Sequence, residues 1–342
     1  VHLESQVVAT SGFRGSFTST IQHASGSRSI VQHGATILAT GAQEYRGPEY
    51  GYGSDPRIVT QQEFEARLAA GGELPGSVVM IQCVGPAEQF CSRICCTVAL
   101  KNALALKQRQ PDAQVVILYR DIRTYGFKER LYTQARAAGV IFVRYDDEHR
   151  PQVTADGDLT IRAWDPSLRR DLLLRPGLLV LSMPVVPRGD AHQVAGLFKA
   201  SLDGDGFFLE AHVKLRPVDF ASEGIFLCGA AHYPKGIEEA VSQAYAAAGR
   251  AAAILARPAL KAGGVVAEVD QDKCAACLTC VRVCPYEVPI IEADTKKAKI
   301  EAAACQGCGV CVSECPVKAI KLYHYTDAQM FAKEEALFME VS

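Results

Sequence analysis

The chain contains no G-x-G-x-x-G string, the turn that lets backbone approach a pyrophosphate at the mouth of a nucleotide-binding sheet. That lack argues against a pyridine-nucleotide site, even where strands and helices alternate. No uninterrupted apolar run reaches the roughly 20 residues of a bilayer-spanning helix. Residues 172–186 are broken by Arg175, Pro176 and Pro184, and residues 245–256 are short and carry Arg250. With a net charge of −2 and no Lys/Arg block, the chain has no electrostatic footprint for nucleic acid. Its first residues, VHLESQ, lack both the layout of an export signal and an initiator Met. The expectation is a processed chain, a piece of a larger product, or an unusual start. What remains, 342 residues with 49% hydrophobic and 22% charged, is the composition of a folded protein of two or three domains.

Cysteine is what the chain does have, at thirteen positions. They are tightly bunched in a large chain without an export signal, which fits metal-bound thiolates in a reducing cytoplasm better than disulfides. Cys274, Cys277, Cys280 and Cys284, followed by Pro285, read C-x2-C-x2-C-x3-C-P. Cys305, Cys308, Cys311 and Cys315, followed by Pro316, repeat it. This is the two-cluster bacterial ferredoxin pattern, in which the fourth cysteine of each run serves the other cluster. One [4Fe–4S] cluster is assigned Cys274, Cys277, Cys280 and Cys315, the other Cys305, Cys308, Cys311 and Cys284. Paired zinc sites would leave the third cysteine and the proline of each run without a purpose.

Along the chain, residues 1–30 read as strand pieces between Ser/Gly turns, and residues 35–41 (ATILATG) as a buried strand ending in a turn small enough for a cofactor to approach. Residues 45–56 read as loop and 61–70 as helix. An alternating series follows: strand 77–82, helix 91–110, strand 113–120, helix 127–138, strand 140–145. Near-continuous apolar strands between helices predict a parallel sheet covered on both faces. Residues 151–174 read as an antiparallel excursion and 177–186 as a return to the core. Then come helix 191–202, strand 225–228, the turn GAAHYPKG, an Ala-rich helix 237–256, a linker (ARPALKAGG), the cysteine-rich unit 265–322 and a helical tail.

The strand at 77–82 opens onto residues 83–101, CVGPAEQFCSRICCTVALK, where a nucleotide fold would carry its glycines. A helix starting near Cys91 would place Cys91 and Cys95 one turn apart with Cys96 beside them, and Cys83 could reach the same point. The residues leave two readings open: a ligand set at a helix N-terminus, or small buried apolar side chains.

QCVG and FCSRICC, then DIRTYGFKE at 121–129 and GAAHYPKGIEEAVSQAYAAA at 229–248, resemble the A subunit of heterodisulfide reductase, the flavin- and iron–sulfur-containing component of electron-transfer complexes. The resemblance covers roughly residues 30–320, including the YGYG loop. It implies an α/β fold: a thioredoxin-reductase-like nucleotide-fold core with a C-terminal α+β two-[4Fe–4S] ferredoxin domain. The implied divisions are residues 1–71 (partial flavin domain), 72–187 (Rossmann-like, with the cysteine loop), 188–258 (return to the flavin domain), 259–325 (ferredoxin domain) and 326–342 (tail). It also implies a third [4Fe–4S] cluster on Cys83, Cys91, Cys95 and Cys96, noncovalent FAD, and a catalytic lysine near the flavin at Lys101. Flavin contacts are expected at Thr40, Gly41, Lys101, Gly229, Ala230, His232, Pro234, Lys235, Gly236, Ile237 and Glu238, with a helix near Ile237 aiming its positive end at the flavin. The alternative reading of Lys235 is a solvated loop lysine and of His232 an ordinary turn residue; the strand–turn–helix junction favours the flavin role.

The family's glycine-rich loop for the FAD adenosine diphosphate has no counterpart here. The FAD site is then completed by a second polypeptide, or flavin is absent, or the chain is a fragment; the expectation is a split or truncated subunit whose partner chain supplies the ADP-binding half. Further implied partners are redox subunits of a complex, with ferredoxin-like, hydrogenase or dehydrogenase electron donors. Three functions compete: an oxidoreductase subunit passing electrons between FAD and clusters, with flavin-based bifurcation in full-length members; a flavin-free iron–sulfur wire; and an NAD(P)-linked dithiol reductase. The last is disfavoured by the missing loop and by the lack of an isolated C-x-x-C dithiol. Heterodisulfide chemistry itself belongs to other subunits of the family.

Overall fold

The computed structural model describes residues 1–88, 90–261 and 264–339. Its contacts divide the chain into two compact units: Val1–Ala39 with Gly189–His232 and Val241–Ser342, and Thr40–Arg188 with Tyr233–Ala240.

The first unit opens with an antiparallel meander, β1 (Ser5–Phe13), β2 (Ser16–His23) and β3 (Arg28–His33). Phe13 pairs with Ser16, so Arg14 and Gly15 make a two-residue turn, and Gly15 supplies the left-handed backbone (φ +87°) that such a turn demands. Strand β4 (Thr36–Leu38) follows.

The second unit begins at β5 (Ala42–Glu44) and β6 (Ile58–Thr60), then α1 (Gln61–Ala70). Thr60 starts α1 with a reciprocal capping box to Glu63, and left-handed Gly71 ends it. The chain continues through β7 (Ser77–Ile81), α2 (Cys95–Arg109), β8 (Gln114–Tyr119), α3 (Glu129–Ala137) and β9 (Ile141–Arg144). An antiparallel meander of β10 (Gln152–Thr154), β11 (Thr160–Asp165) and β12 (Arg170–Leu174) leads to β13 (Leu178–Leu181). β14 (Val185–Pro187) pairs antiparallel with β5.

Strands β6, β13, β7, β8 and β9 form a five-stranded parallel sheet in that order, as the apolar runs predict. Strand alternation feeds its two faces. Val78, Met80, Val115, Ile117, Leu178 and Val180 pack with Phe64, Leu68, Leu100 and Leu106 of the helices. Val79, Ile81, Val116, Leu118, Leu179 and Leu181 pack with Leu159, Ile161 and Ala163 of the meander. Each such side chain contributes about 1.5–3 kcal/mol on burial, and the two layers fix which strand ends open towards the cysteine loop.

One element differs in a way that matters. Helix α2 begins at Cys95, not at Cys91. Arg93 has φ +60°, a conformation that cannot continue a right-handed helix, and the Ser92 hydroxyl instead accepts the Val185 N–H at 2.9 Å. Cys91 therefore lies on an irregular turn, while Cys95 and Cys96 are the first residues of the helix. The helix expected over 127–138 similarly splits into a 3-10 turn, Gly126–Lys128, and α3.

The chain then re-enters the first unit. α4 (Ala191–Phe198) stops four residues short of expectation at left-handed Lys199. β15 (Ile225–Leu227) pairs in parallel with β4, and α5 (Ile237–Leu255) follows. Beyond it, β16 (Ala267–Val269), α6 (Thr279–Val283), β17 (Ile290–Ile291), β18 (Ala298–Lys299), α7 (Val310–Ser313) and β19 (Ile320–Leu322) make the cysteine-rich segment, with β16 on β19 and β17 on β18. A tail helix, α8 (Asp327–Phe338), closes the described chain. No helix among the described residues is long and apolar enough to cross a membrane.

Candidate metal centres

The cysteine-rich segment has almost no conventional core. Its buried cluster consists of Cys274, Cys280, Cys311 and Cys315 with Ala267, Ala298, Ala319 and Ile320. Cys274, Cys277, Cys280 and Cys315 border one small cavity, joined by Val269, Ile291 and Ile320. Three come from the first cysteine run and one from the second, the crossed set that the spacing predicts. The other set also converges. Burial pushes the Cys311 thiol up to about 11, and the neighbouring thiols of Cys305, Cys284 and Cys308 add to the rise. Backbone amides point at these sulfurs: Ala319 N–H to Cys315 Sγ at 3.2 Å, Ala267 N–H to Cys305 Sγ at 3.4 Å, Ala298 N–H to Cys274 Sγ at 3.5 Å. Amide donors of this kind stabilise anionic sulfur and tune cluster potentials.

In the second unit, Cys83, Cys91, Cys95 and Cys96 border a cavity of about 310 Å³ with Gln82, Ser92, Arg93, Arg120, Asp121, Arg123, Arg144, Tyr145, Asp146 and Asp147. Cys83 comes from the end of β7 with a left-handed φ of +57°. Its thiol is raised by burial, against the pull of Arg120 and Arg123. Burial, then the thiols of Cys96, Cys91 and Cys83, push Cys95 up to about 12. Cys96 rises to about 11, again chiefly by burial, with the Arg123 backbone amide opposing. Thiols held protonated in this way, as at Cys83, Cys95 and Cys96, are poor nucleophiles. A bound cation reverses the balance, because coordination deprotonates a thiol outright. Among the described residues, no group of three or more His, Cys, Asp or Glu is placed so that it could hold a metal ion.

A family model described as a 4Fe-4S dicluster domain matches residues 267–316. The iron–sulfur A subunit of a CoB–CoM heterodisulfide reductase from Methanopyrus kandleri is 36% identical over 286 residues, covering 77% of this chain and 44% of that protein. Over these residues the chain belongs to the heterodisulfide reductase A-subunit family. A second A subunit from M. kandleri is 33% identical over 335 residues, covering 90% of this chain and 50% of that protein. The corresponding component of a ferredoxin/F(420)H(2)-dependent CoB–CoM heterodisulfide reductase of Methanosarcina acetivorans is 37% identical over 281 residues, covering 74% and 34% respectively. The chain thus spans half or less of the length of these relatives. A solved T. acidophilum thioredoxin reductase aligns at 13% identity with a TM-score of 0.45, covering 73% of this chain and 72% of that one.

The residues that the family resemblance assigns to flavin are placed as follows. Lys101 does not border the cysteine cavity; it stands on the exposed side of α2, 2.7 Å from Glu65. Gly41 and Gly229 both have left-handed φ, +76° and +74°, and a Cβ on either would meet no atom within 4 Å. Thr40 is exposed and Ala230 half-buried beside Gly229. His232 is more than a turn residue: its Nε2 lies 2.8 Å from Glu210 Oε2 and its Nδ1 2.6 Å from Gln243 Nε2, while Gln243 Oε1 accepts the Gly229 N–H. Lys235 donates to the Tyr233 carbonyl, the Gly236 N–H to Glu239, and Glu238 pairs with Lys128 at 2.5 Å. Ile237 is exposed. The Pro234 carbonyl accepts from Arg93 at 3.0 Å, so the turn 233–240 is tied directly to the cysteine loop. Sequence reasoning missed Arg93, Arg120, Arg123, Glu210, Gln243 and Gln82. None has a spacing signature: Gln82 and Arg93 lie inside the cysteine stretch without a pattern to mark them, and Arg120, Arg123, Glu210 and Gln243 come from other parts of the chain.

Proposed function

We propose that this chain is the electron-carrying part of a heterodisulfide-reductase-like oxidoreductase, with three [4Fe–4S] sites and an FAD site, working in the cytoplasm with partner redox subunits. The observation that carries this reading is the convergence of Cys83, Cys91, Cys95 and Cys96 on one cavity in a chain that also carries a dicluster domain. The donor chemistry fits: soft thiolates suit iron–sulfur clusters, and Cys95 and Cys96 sit where the positive end of α2 favours negative charge. Bound at these places, clusters carry single electrons and FAD exchanges electron pairs for single electrons. The chain's own residues do the rest. Arg120 and Arg123 offset the negative charge at Cys83, the amides of residues 267, 298 and 319 solvate the ferredoxin sulfurs, and Arg93 fixes the 233–240 turn.

For the flavin, the left-handed backbone at Gly229, where a Cβ would meet no atom within 4 Å, supports close approach of a planar group. On this reading the ADP-binding half comes from a partner chain. Two features favour that: among the described residues β4 and β15 make a two-stranded parallel pair, and α5, nineteen residues long, buries Ala247 and Ala251 alone. Small parallel sheets and apolar helices are normally covered. The relatives' names point to hydrogen, ferredoxin or F(420)H(2) as electron donors, and partners of that class are proposed here.

Iron and flavin analysis of the anaerobically purified chain tests this. About twelve irons per chain are expected from three four-iron clusters, together with flavin once the ADP-binding half is supplied. Replacing Cys95 and Cys96 by Ala should remove about four of them and leave the ferredoxin signals intact. About eight irons in the wild type, or no loss in the variant, sinks the third cluster. Twelve irons that never take up flavin leave the wire reading in its place.

A further inference from the structure

Five buried side-chain polar atoms lack a hydrogen-bond partner among the described residues: Glu49 Oε2, Gln82 Nε2, Gln82 Oε1, Arg93 Nε and Gln110 Oε1. Three of the five belong to Gln82 and Arg93, and both residues border the cysteine cavity. Gln82 is 0% exposed. Its backbone is clamped, the N–H donating to the Leu118 carbonyl at 2.9 Å and the carbonyl accepting from the Tyr145 hydroxyl at 2.5 Å. The side chain therefore has no route to solvent through movement of the strand end. Folded proteins rarely leave an amide buried with both of its polar atoms unsatisfied, and a redox role or a bound group is among the reasons where they do. An apolar side chain would fill the same space without that cost. Strand alternation would normally send Gln82 and Cys83 to opposite faces. The left-handed backbone at Cys83 breaks the alternation, so two consecutive residues border one cavity.

We propose that Gln82 is a positioning residue for the iron–sulfur group held by Cys83, Cys91, Cys95 and Cys96, its Nε2–H donating a hydrogen bond to a sulfur of that group. The role rests on the cluster reading above. A donor aimed at sulfur stabilises the more negative, reduced form over the oxidised one, so it raises the reduction potential. Gln82 thereby sets the potential of this centre separately from the two ferredoxin clusters, where Cys274, Cys305 and Cys315 are served by backbone amides that no side-chain substitution removes.

The test is a potentiometric titration of the full chain followed by electron paramagnetic resonance, on wild type and Gln82→Leu, with iron counted in both. Equal iron, a lower potential for the Cys83–Cys96 centre and unchanged ferredoxin potentials are expected. Wild-type protein grown with [15N]glutamine gives a second readout that needs no variant: a hyperfine coupling from a side-chain amide nitrogen to the reduced centre. A wild-type chain without a third signal overturns the cluster reading and the role of Gln82 together. A third signal with no 15N coupling, or one whose potential is the same in Gln82→Leu, overturns the role of Gln82 alone.

Discussion

Arg93 holds a left-handed backbone at φ +60° while its guanidinium reaches the Pro234 carbonyl at 3.0 Å and Glu239 at 3.3 Å. It is thus both the residue that delays α2 and the clasp on the turn at 233–240. Both ends of the ion pair are over a third exposed, so solvent screening leaves the clasp worth about 1 kcal/mol. Arg93→Met should speed amide exchange across residues 233–240 about fivefold on that basis, with the ferredoxin iron unchanged; exchange mass spectrometry reads it. At this scale the sequence reveals the cysteines, because thiolate spacing on a cluster is short-range and rigid. It does not reveal Arg93, Gln82 or the Glu210–His232–Gln243 chain, whose partners are up to 146 residues apart.

Helix α1 begins and ends where the residues place it, at 61 and 70, because Thr60 and Glu63 cap each other and Gly71 supplies the left-handed stop. Thr60→Ala should cost about 0.5–2 kcal/mol of local stability, seen as faster exchange at the first turn of α1. Burial alone would push the Glu63 carboxyl up. The Thr60 N–H, the Tyr52 hydroxyl and Arg46 and Arg67 outweigh it, and the carboxyl titrates below its usual range. A carboxylate lowered by folding contributes stability above its unfolded pKa and loses it as pH falls through the lower folded value. Exchange at the α1 N-terminus should therefore accelerate as pH drops below the ordinary carboxylate range, after correction for intrinsic rates, and Glu63→Gln should remove much of that dependence. Helix α2 is legible in kind but not at its start. Cys91 and Cys95 have the spacing of one helical turn, yet Ser92 is bonded to Val185, a contact 93 residues away that no local pattern announces.

Across the whole molecule, the parallel sheet and the cysteine-rich segment are stabilised by different means. The parallel sheet buries two continuous layers of aliphatic side chains, whereas the segment 267–320 has four cysteines in place of a core. Removing iron by chelation should unfold residues 265–322, seen as loss of exchange protection there, while β7, β8 and β13 stay protected, since metal binding in so small a core is itself the folding energy. Composition and spacing alone determined the ferredoxin ligand runs, the alternation of strands and helices, and the apolar layers of the sheet, because each depends on residues close together in the chain or repeated at a fixed period. Tertiary structure decided the rest. It brought Cys83 beside Cys91, Cys95 and Cys96, surrounded them with Arg120, Arg123 and an unsatisfied Gln82, and left Lys101 on the far side of α2 with Glu65. Those neighbours arrive from separate strand ends, and only the closed sheet determines which strand ends meet.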